Sequence, residues 1–461
     1  MTDLVVRGGT VVTSARSFRA DVAIADGRIE AVGLDLLPAG SPTIDAGGLL
    51  VLPGCIDVHT HTRLPTEIEP DRFHRDTLAA AYGGTTTFLA FNNPGTGISP
   101  AGGRSLVAGM QEFRARTVGE SAVDFGLSAV ISGGQPDSIA ELPRLIEAGV
   151  PTFKAFMVYD FRLTDELLLA ALRVTARRGG MLQVHCENAT VVDELVRREL
   201  AAGHLASRYH AASRPSYAEA EATHRAIALA RAADASVYIV HLSCADALAE
   251  VIAARARGWP VYAETCPHYL TLTDALYEAP EAEAITRVIS PPLRSDADRQ
   301  ALWLAVAHGG LDLVASDHVP DRVAVEKRLP APAFDRISNG APGIETLLRV
   351  VYTEGVATGL ISIEQMVGLL ATTPAHLFGL STKGAVEVGR DADLVLFDPR
   401  SRGRIEQAQL HHTSDFTPYE GRPSAGSVRD VLLRGEPVIR NGAAVANTRR
   451  GVFVERSMSG R

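Results

Sequence analysis

Two histidines stand two residues apart in Asp57-Val58-His59-Thr60-His61. In an extended segment the side chains at i and i+2 point to the same side, so both imidazoles can reach one metal ion. His185, His241 and Asp317 are scattered through the chain, yet each falls just beyond a short apolar run, as the His59/His61 pair does. Four imidazoles and one carboxylate exceed the ligand set of one tetrahedral zinc, and two ions sharing them call for a bridging anion. Lys154, inside Phe153-Lys154-Ala155-Phe156-Met157, can supply it. An ammonium among apolar neighbours beside dications is untenable unless it is paired or neutral. Its neutral amine can take up carbon dioxide as a carbamate, whose two oxygens could span ions about 3.5–4 Å apart. Taken alone, Lys154 reads as a lysine reaching the rim with its charge intact. Beside the other five residues, the carbamate reading wins.

Such a site needs a frame that gathers six distant points of the chain. Apolar runs of strand length occupy 51–58, 85–91, 123–130, 152–158, 181–184, 237–240, 261–263 and 311–315. Most are separated by Ala/Leu-rich helical stretches such as 165–178 and 219–232. Eight buried strands alternating with helices read as an α/β fold, a (β/α)8 TIM barrel over 53–384. Barrels of this kind carry reactive groups at the C-terminal ends of their strands. The histidines and Asp317 all fall there. The segment 320–335, mixed in charge and rich in proline, reads as an active-site flap.

The two ends of the chain have a different texture. Short strands are expected at 4–12 and 21–32, with Asp26-Gly27 as a hairpin turn, and again at 385–388, 392–397 and 428–438. Neither end can form a core alone, so 1–52 and 385–461 are expected to pair as one discontinuous β-sandwich. With 45 basic and 54 acidic side chains the net charge is −9, which gives no general attraction to nucleic acid or anionic lipid. No apolar run approaches the ~20 residues of a membrane span. The opening Met1-Thr2-Asp3-Leu4 lacks a secretory pattern, so a cytoplasmic location is expected. Cys55, Cys186, Cys244 and Cys266 form no Cys-x-x-Cys pair and read as small apolar residues.

The ligand set, together with 5–10, 29–33 and 389–395 in the end segments, resembles the amidohydrolase superfamily. The nearest branch is that of the cyclic amidases: dihydropyrimidinase, hydantoinase, allantoinase and dihydroorotase. The resemblance implies two divalent metal ions, usually zinc. His59 and His61 would hold the more buried one with Asp317, His185 and His241 the other, and Lys154 as N6-carboxylysine would bridge them. It also implies a homotetramer. Phe156-Met157-Val158-Tyr159 is similar to the dihydropyrimidinase and D-hydantoinase segment whose tyrosine polarises the substrate carbonyl. The stretches 289–294 and 338–345 resemble the two ring-binding segments of that group, where Ser290 and Asn339 would contact a cyclic diamide. The implied activity is hydrolysis of a ring amide C–N bond in a dihydropyrimidine or 5-substituted hydantoin to an N-carbamoyl amino acid. Asp317 would take the proton of the attacking water and Tyr159 would stabilise the oxyanion.

Some positions lean elsewhere. Thr62-Arg63-Leu64-Pro65 after His61, Asn93 in Phe91-Asn92-Asn93-Pro94, and 417–422 are closer to dihydroorotase and allantoinase. In the first of these, the matching arginine and asparagine grip a substrate carboxylate. The discriminating observation is whether Arg63 points into the pocket. Non-catalytic interaction proteins of the same fold have lost metal ligands, and this chain keeps them all. His318 is expected to face the flap or solvent, His268 to make a structural hydrogen bond, and His411 and His412 to lie on the surface.

Overall fold

The first apolar run, 51–58, is two strands rather than one. A computed structural model of the protein describes residues 2–36, 40–92, 105–327 and 333–458. In it Leu50–Pro53 belongs to one sheet and Cys55–Thr60 to another. Gly54 makes the switch, because a Cβ there would meet Thr86 Oγ1 at 2.0 Å.

The barrel strands are β1 (Cys55–Thr60), β2 (Thr85–Asn92), β3 (Asp124–Val130), β4 (Thr152–Phe156), β5 (Met181–His185), β6 (Val237–Ile239), β7 (Val261–Thr265) and β8 (Leu313–Val314). They pair in parallel and in chain order. The circle closes just past β8, where Thr60 bridges His318 and the His61 N–H donates to the His318 carbonyl at 2.7 Å. The expected TIM barrel is present.

The helix Asp165–Arg178 illustrates how the outer layer is specified. Thr164 caps it by accepting from the Leu167 N–H, Asp165 and Glu166 open it, Arg177 and Arg178 close it, and Gly179 ends it at φ 71°. Leu168, Ala171, Leu172 and Thr175 form its buried stripe. Thr164→Ala would cost about 1 kcal/mol of cap energy.

Both chain ends enter one nine-stranded sheet. Its seam is the antiparallel pairing of Leu50–Pro53 with Leu394–Arg404, in register from Leu394 opposite Pro53 to Phe397 opposite Leu50. Val11, Val22, Val51, Leu394, Leu396 and Leu432 are among the buried side chains of its own core. Asp26 and Gly27 turn the hairpin between Ser17–Ala25 and Arg28–Gly33 with φ 51° and 74°, the left-handed pair that a two-residue hairpin needs. The expected strand at 385–388 is absent: those residues lie in a turn region between Gly384 and Gly389, at φ 81° and 86°. The run 428–438 is divided between Pro423–Leu433 and Glu436–Arg440 by a left-handed turn at Arg434-Gly435. Beyond the sheet the chain returns to the barrel floor. Phe453 bridges Phe125, and Arg456 donates to the Leu127 carbonyl and to Thr152. Among the described residues no helix is long and apolar enough to cross a membrane.

Candidate metal centre

β1 delivers His59 and His61 to the mouth of the barrel, and the seam with β8 delivers Asp317. His59 Nε2 lies 2.9 Å and His61 Nε2 3.3 Å from Asp317 Oδ1, and one ligand atom from each residue falls within 4.8 Å of the others. The β5 and β6 histidines join them: the rings of His185 and His241 are 4.5 Å apart, and those of His59 and His241 5.2 Å. Three residues of the mouth have left-handed backbone, Tyr159 at φ 74°, His241 at 39° and Asp317 at 48°. Such conformations cost about 1–3 kcal/mol each outside glycine and cluster where side chains must be aimed.

Carboxylates fix the rings. Glu264, fully buried in β7, is hydrogen-bonded to His59 Nδ1 and accepts from the His241 N–H at 3.1 Å and the Tyr238 hydroxyl at 2.7 Å. That leaves His59 Nε2 for the centre. Glu187 takes His185 Nε2 at 2.6 Å and is itself paired with Arg214 at 2.6 Å. Asp57 accepts from the Ser316 N–H at 3.0 Å and from its hydroxyl, tying β1 to the end of β8.

Burial pushes His61 down to about 4, His185 down and His241 well down, so these imidazoles are neutral at pH 7. At His59 burial acts the same way, but the charges of Asp317 and Glu264 prevail and raise it. Asp317 is held well below the usual carboxylate range despite burial, chiefly by His59. The neutral imidazoles of His61, His185 and His241 beside an ionised carboxylate are donors a divalent zinc-type ion takes, and binding would displace the proton that the carboxylates favour on His59. His61 Nδ1, His241 Nδ1 and Lys154 Nζ are buried without a hydrogen-bond partner. Orphaned buried groups cost about 1–3 kcal/mol each, and a bound cation would repay the imidazoles. The residues fit a metal centre.

Lys154 Nζ sits 4.5 Å from the centre of the Phe91 ring, and burial lowers it to about 8. It shares a pocket of about 400 Å³ with His61, Tyr159, Ser290, Asp317 and Asn339. Burial raises the pKa of the Tyr159 hydroxyl despite the lowering influence of Ser290 and Asn339 beside it, so it remains a proton donor. Arg214 lies 5.4 Å over its ring.

Arg63 also lines this pocket, but Nη2 is bound to the fully buried Asp321 at 2.6 Å. The guanidinium points inward with its charge already answered. Asn93 lies outside the described residues, as do 328–332 of the expected flap. His318 does not face flap or solvent. It is wholly buried, its Nδ1 accepts from the Gly343 N–H at 3.1 Å, and its carbonyl closes the barrel seam. His268 is buried, with Nε2 unpartnered among the described residues. His411 is exposed, with Nδ1 on Glu345 at 2.7 Å, but His412 is buried, contrary to the surface position expected.

The sequence pattern of the amidohydrolase family matches residues 50–438. The chain is 40% identical to a D-hydantoinase of Ralstonia pickettii over 98% of its own length and 99% of that protein's. It is 38% identical to a D-hydantoinase of Geobacillus stearothermophilus over 99% and 97% of the two lengths. The chain belongs to the amidohydrolase family. This amidohydrolase also superposes on the crystal structure of a dihydropyrimidinase from Brevibacillus agri with a TM-score of 0.94, at 39% identity and covering 99% of each chain.

Sequence reasoning missed the carboxylates behind the ligands of this amidohydrolase. Asp57 and Glu264 carry a signal that could have found them, an acid inside an apolar strand run, which is expensive unless it is used. Glu187 stands at i+2 from His185, the spacing of His59 and His61. Arg214 has no local signal at all.

Proposed function

We propose that this amidohydrolase opens the ring of a cyclic amide, a dihydropyrimidine or 5-substituted hydantoin, at an amide C–N bond and releases an N-carbamoyl amino acid. The observation that carries this reading is that Tyr159, Ser290 and Asn339 line one pocket with His61, Lys154 and Asp317. One part suits a neutral ring with carbonyl and N–H edges, and the other suits a metal centre. The names of the relatives support the same class: D-hydantoinases and a dihydropyrimidinase.

His59, His61 and Asp317 would hold one ion, His185 and His241 the second, and carboxylated Lys154 would touch both. Such ions, zinc by family resemblance, supply a water acidic enough to attack at neutral pH and a Lewis acid for the carbonyl. The chain's own groups do the rest. Ser290 and Asn339 orient the ring, and the Tyr159 hydroxyl donates to the carbonyl oxygen as it gains charge. Asp317 accepts a proton from the attacking water while the C–O bond forms, and returns it to the ring nitrogen as the C–N bond breaks. Lys154 supports the carbamate role through its position: fully buried, without a carboxylate partner, and shifted by burial toward the neutral amine that reacts with carbon dioxide. On this reading the enzyme is a cytoplasmic homotetramer, with 53–384 as the catalytic barrel and 1–52 with 385–461 as the second domain.

In the pocket itself a dihydroorotase- or allantoinase-like activity is favoured by Arg63, and Asp321 removes the free charge that would seek a carboxylate. The test is a hydrolysis panel of dihydrouracil, 5-substituted hydantoins, allantoin and dihydroorotate with zinc-loaded protein. Turnover of the first two is expected. Exclusive turnover of dihydroorotate or allantoin would replace this reading with the second.

A further inference from the structure

Lys327, like Lys154, is sealed inside the protein, and the chemistry above leaves it unused. It ends the short helical turn Val323–Lys327, is 1% exposed, and is not among the residues lining the pocket. Its Nζ donates to two backbone carbonyls, Val288 at 3.1 Å and Ser338 at 2.9 Å. Val288 stands two residues before Ser290, and Ser338 one residue before Asn339. The same two strips are laced together by the Gly340 N–H donating to the Val288 carbonyl at 2.9 Å. Six residues before Lys327, the buried Asp321 accepts from the Ser338 hydroxyl and from Arg63. The turn is anchored from outside, since Glu326 pairs with Arg72 at 3.0 Å and the Val323 N–H donates to Asp415 at 2.7 Å.

We propose that Lys327 and Asp321 are positioning residues: one fork of charged hydrogen bonds from the 321–327 segment sets the spacing of the two ring-binding strips. This inference rests on the reading that Ser290 and Asn339 hold the substrate ring. The physical case is that a lysine is buried with no carboxylate bonded to its Nζ among the described residues: its charge meets the two carbonyls and the Phe416 ring at 5.6 Å, with Asp321 acting on it without a direct bond. Burying an ammonium so is expensive, and hydrogen bonds to charged groups are the strong kind that fix geometry. Neither residue touches the reacting atoms, so the clamp acts on ring binding and leaves the chemical step alone.

Steady-state kinetics with dihydrouracil and a 5-substituted hydantoin test this, alongside metal analysis. Lys327→Met should raise KM by roughly tenfold to a hundredfold with kcat within about threefold, the mark of lost uniform binding. Metal content should be unchanged. Lys327→Arg, which can still donate to both carbonyls, should recover part of the loss. Ser338→Ala, which cuts the tie to Asp321 at a residue that also lines the pocket, should raise KM by a smaller factor. An unchanged KM in Lys327→Met overturns the clamp, and so does a fall of kcat and metal content in step with the rise in KM. If the wild type hydrolyses neither ring, the ring-opening reading is what fails. Hydrogen–deuterium exchange then judges the clamp: selective loss of protection at 286–292 and 336–342 in Lys327→Met supports it, and equal protection sinks it.

Discussion

Lys154, at the mouth of the barrel, and Lys383, where the barrel floor meets the end sheet, are both almost fully buried. Lys383 Nζ is bound by Asp393 at 2.6 Å, Asp124 at 2.8 Å and Asp391 at 3.3 Å. Burial opposes its charge, but the carboxylates prevail and raise its pKa. Lys154 has no such partner, and burial lowers it to about 8. A buried ammonium survives where the fold surrounds it with counter-charge. Lys327, also without a bound carboxylate, is held by two backbone carbonyls, whereas Lys154 Nζ has no hydrogen-bond partner among the described residues. Lys383 is thus held as a structural charge, while the unpartnered Lys154 amine fits the bridging role proposed above.

Breaking the reactive side should have the largest effect. Lys154→Ala should lose most bound metal, and activity should fall by at least ~10³-fold, more than the removal of a single charge-stabilising donor. A short carboxylic acid added with zinc should restore part of it by replacing the bridging oxygens. Lys154→Arg should fail as well, because a guanidinium stays cationic. Normal metal content and turnover in Lys154→Ala would remove the two-ion scheme.

Asp317→Asn comes next. The amide can still coordinate through oxygen but cannot take the water's proton, so metal should be partly retained while turnover falls roughly 10²–10⁴-fold. Metal analysis beside kcat separates the two effects. Appreciable turnover at every pH would assign the proton transfer elsewhere.

On the structural side, Lys383→Met should lower the unfolding free energy by about 3–5 kcal/mol, because it strands buried carboxylates. Turnover per folded molecule and metal content should stay near wild type. A raised lysine pKa contributes stability that is full below its unfolded value near 10.5 and is lost only as pH rises through the folded value. Urea melts should therefore show a gap between wild type and variant that is flat from pH 6 to 9. The gap should narrow in acid, where the stranded aspartates of the variant protonate. An activity loss as large as that of Lys154→Ala would erase the distinction between the two lysines.

The smallest effect is expected at Arg63. Since Asp321 already answers its charge, Arg63→Ala should change kcat/KM by less than about tenfold, under ~1.4 kcal/mol, for dihydrouracil and dihydroorotate alike. A selective loss with dihydroorotate would put the guanidinium on the substrate.

Much of the centre was legible in the sequence because its ligands obey local rules. His59 and His61 share a side through the two-residue period of a strand, and His185, His241 and Asp317 follow apolar runs whose ends a barrel gathers at one mouth. The same rules misplaced 385–388, where apolar residues lie between two left-handed glycines, and His318, whose position after Asp317 does not reveal that its carbonyl closes the barrel. His412 misled for a similar reason, since polarity predicts exposure only where no neighbouring element covers the residue.

By itself the sequence determined which residue types could bind metal, that eight strands alternate with helices, and that the two ends must pair to bury their apolar faces. Only the tertiary structure decided their partners. Glu264 meets His59 across 205 residues, and Asp321 meets Arg63 across 258. A strand's period is written in its own residues. Closure of the barrel, which sets the first strand beside the last, and the counter-charges that meet each buried lysine are fixed only by packing the whole chain.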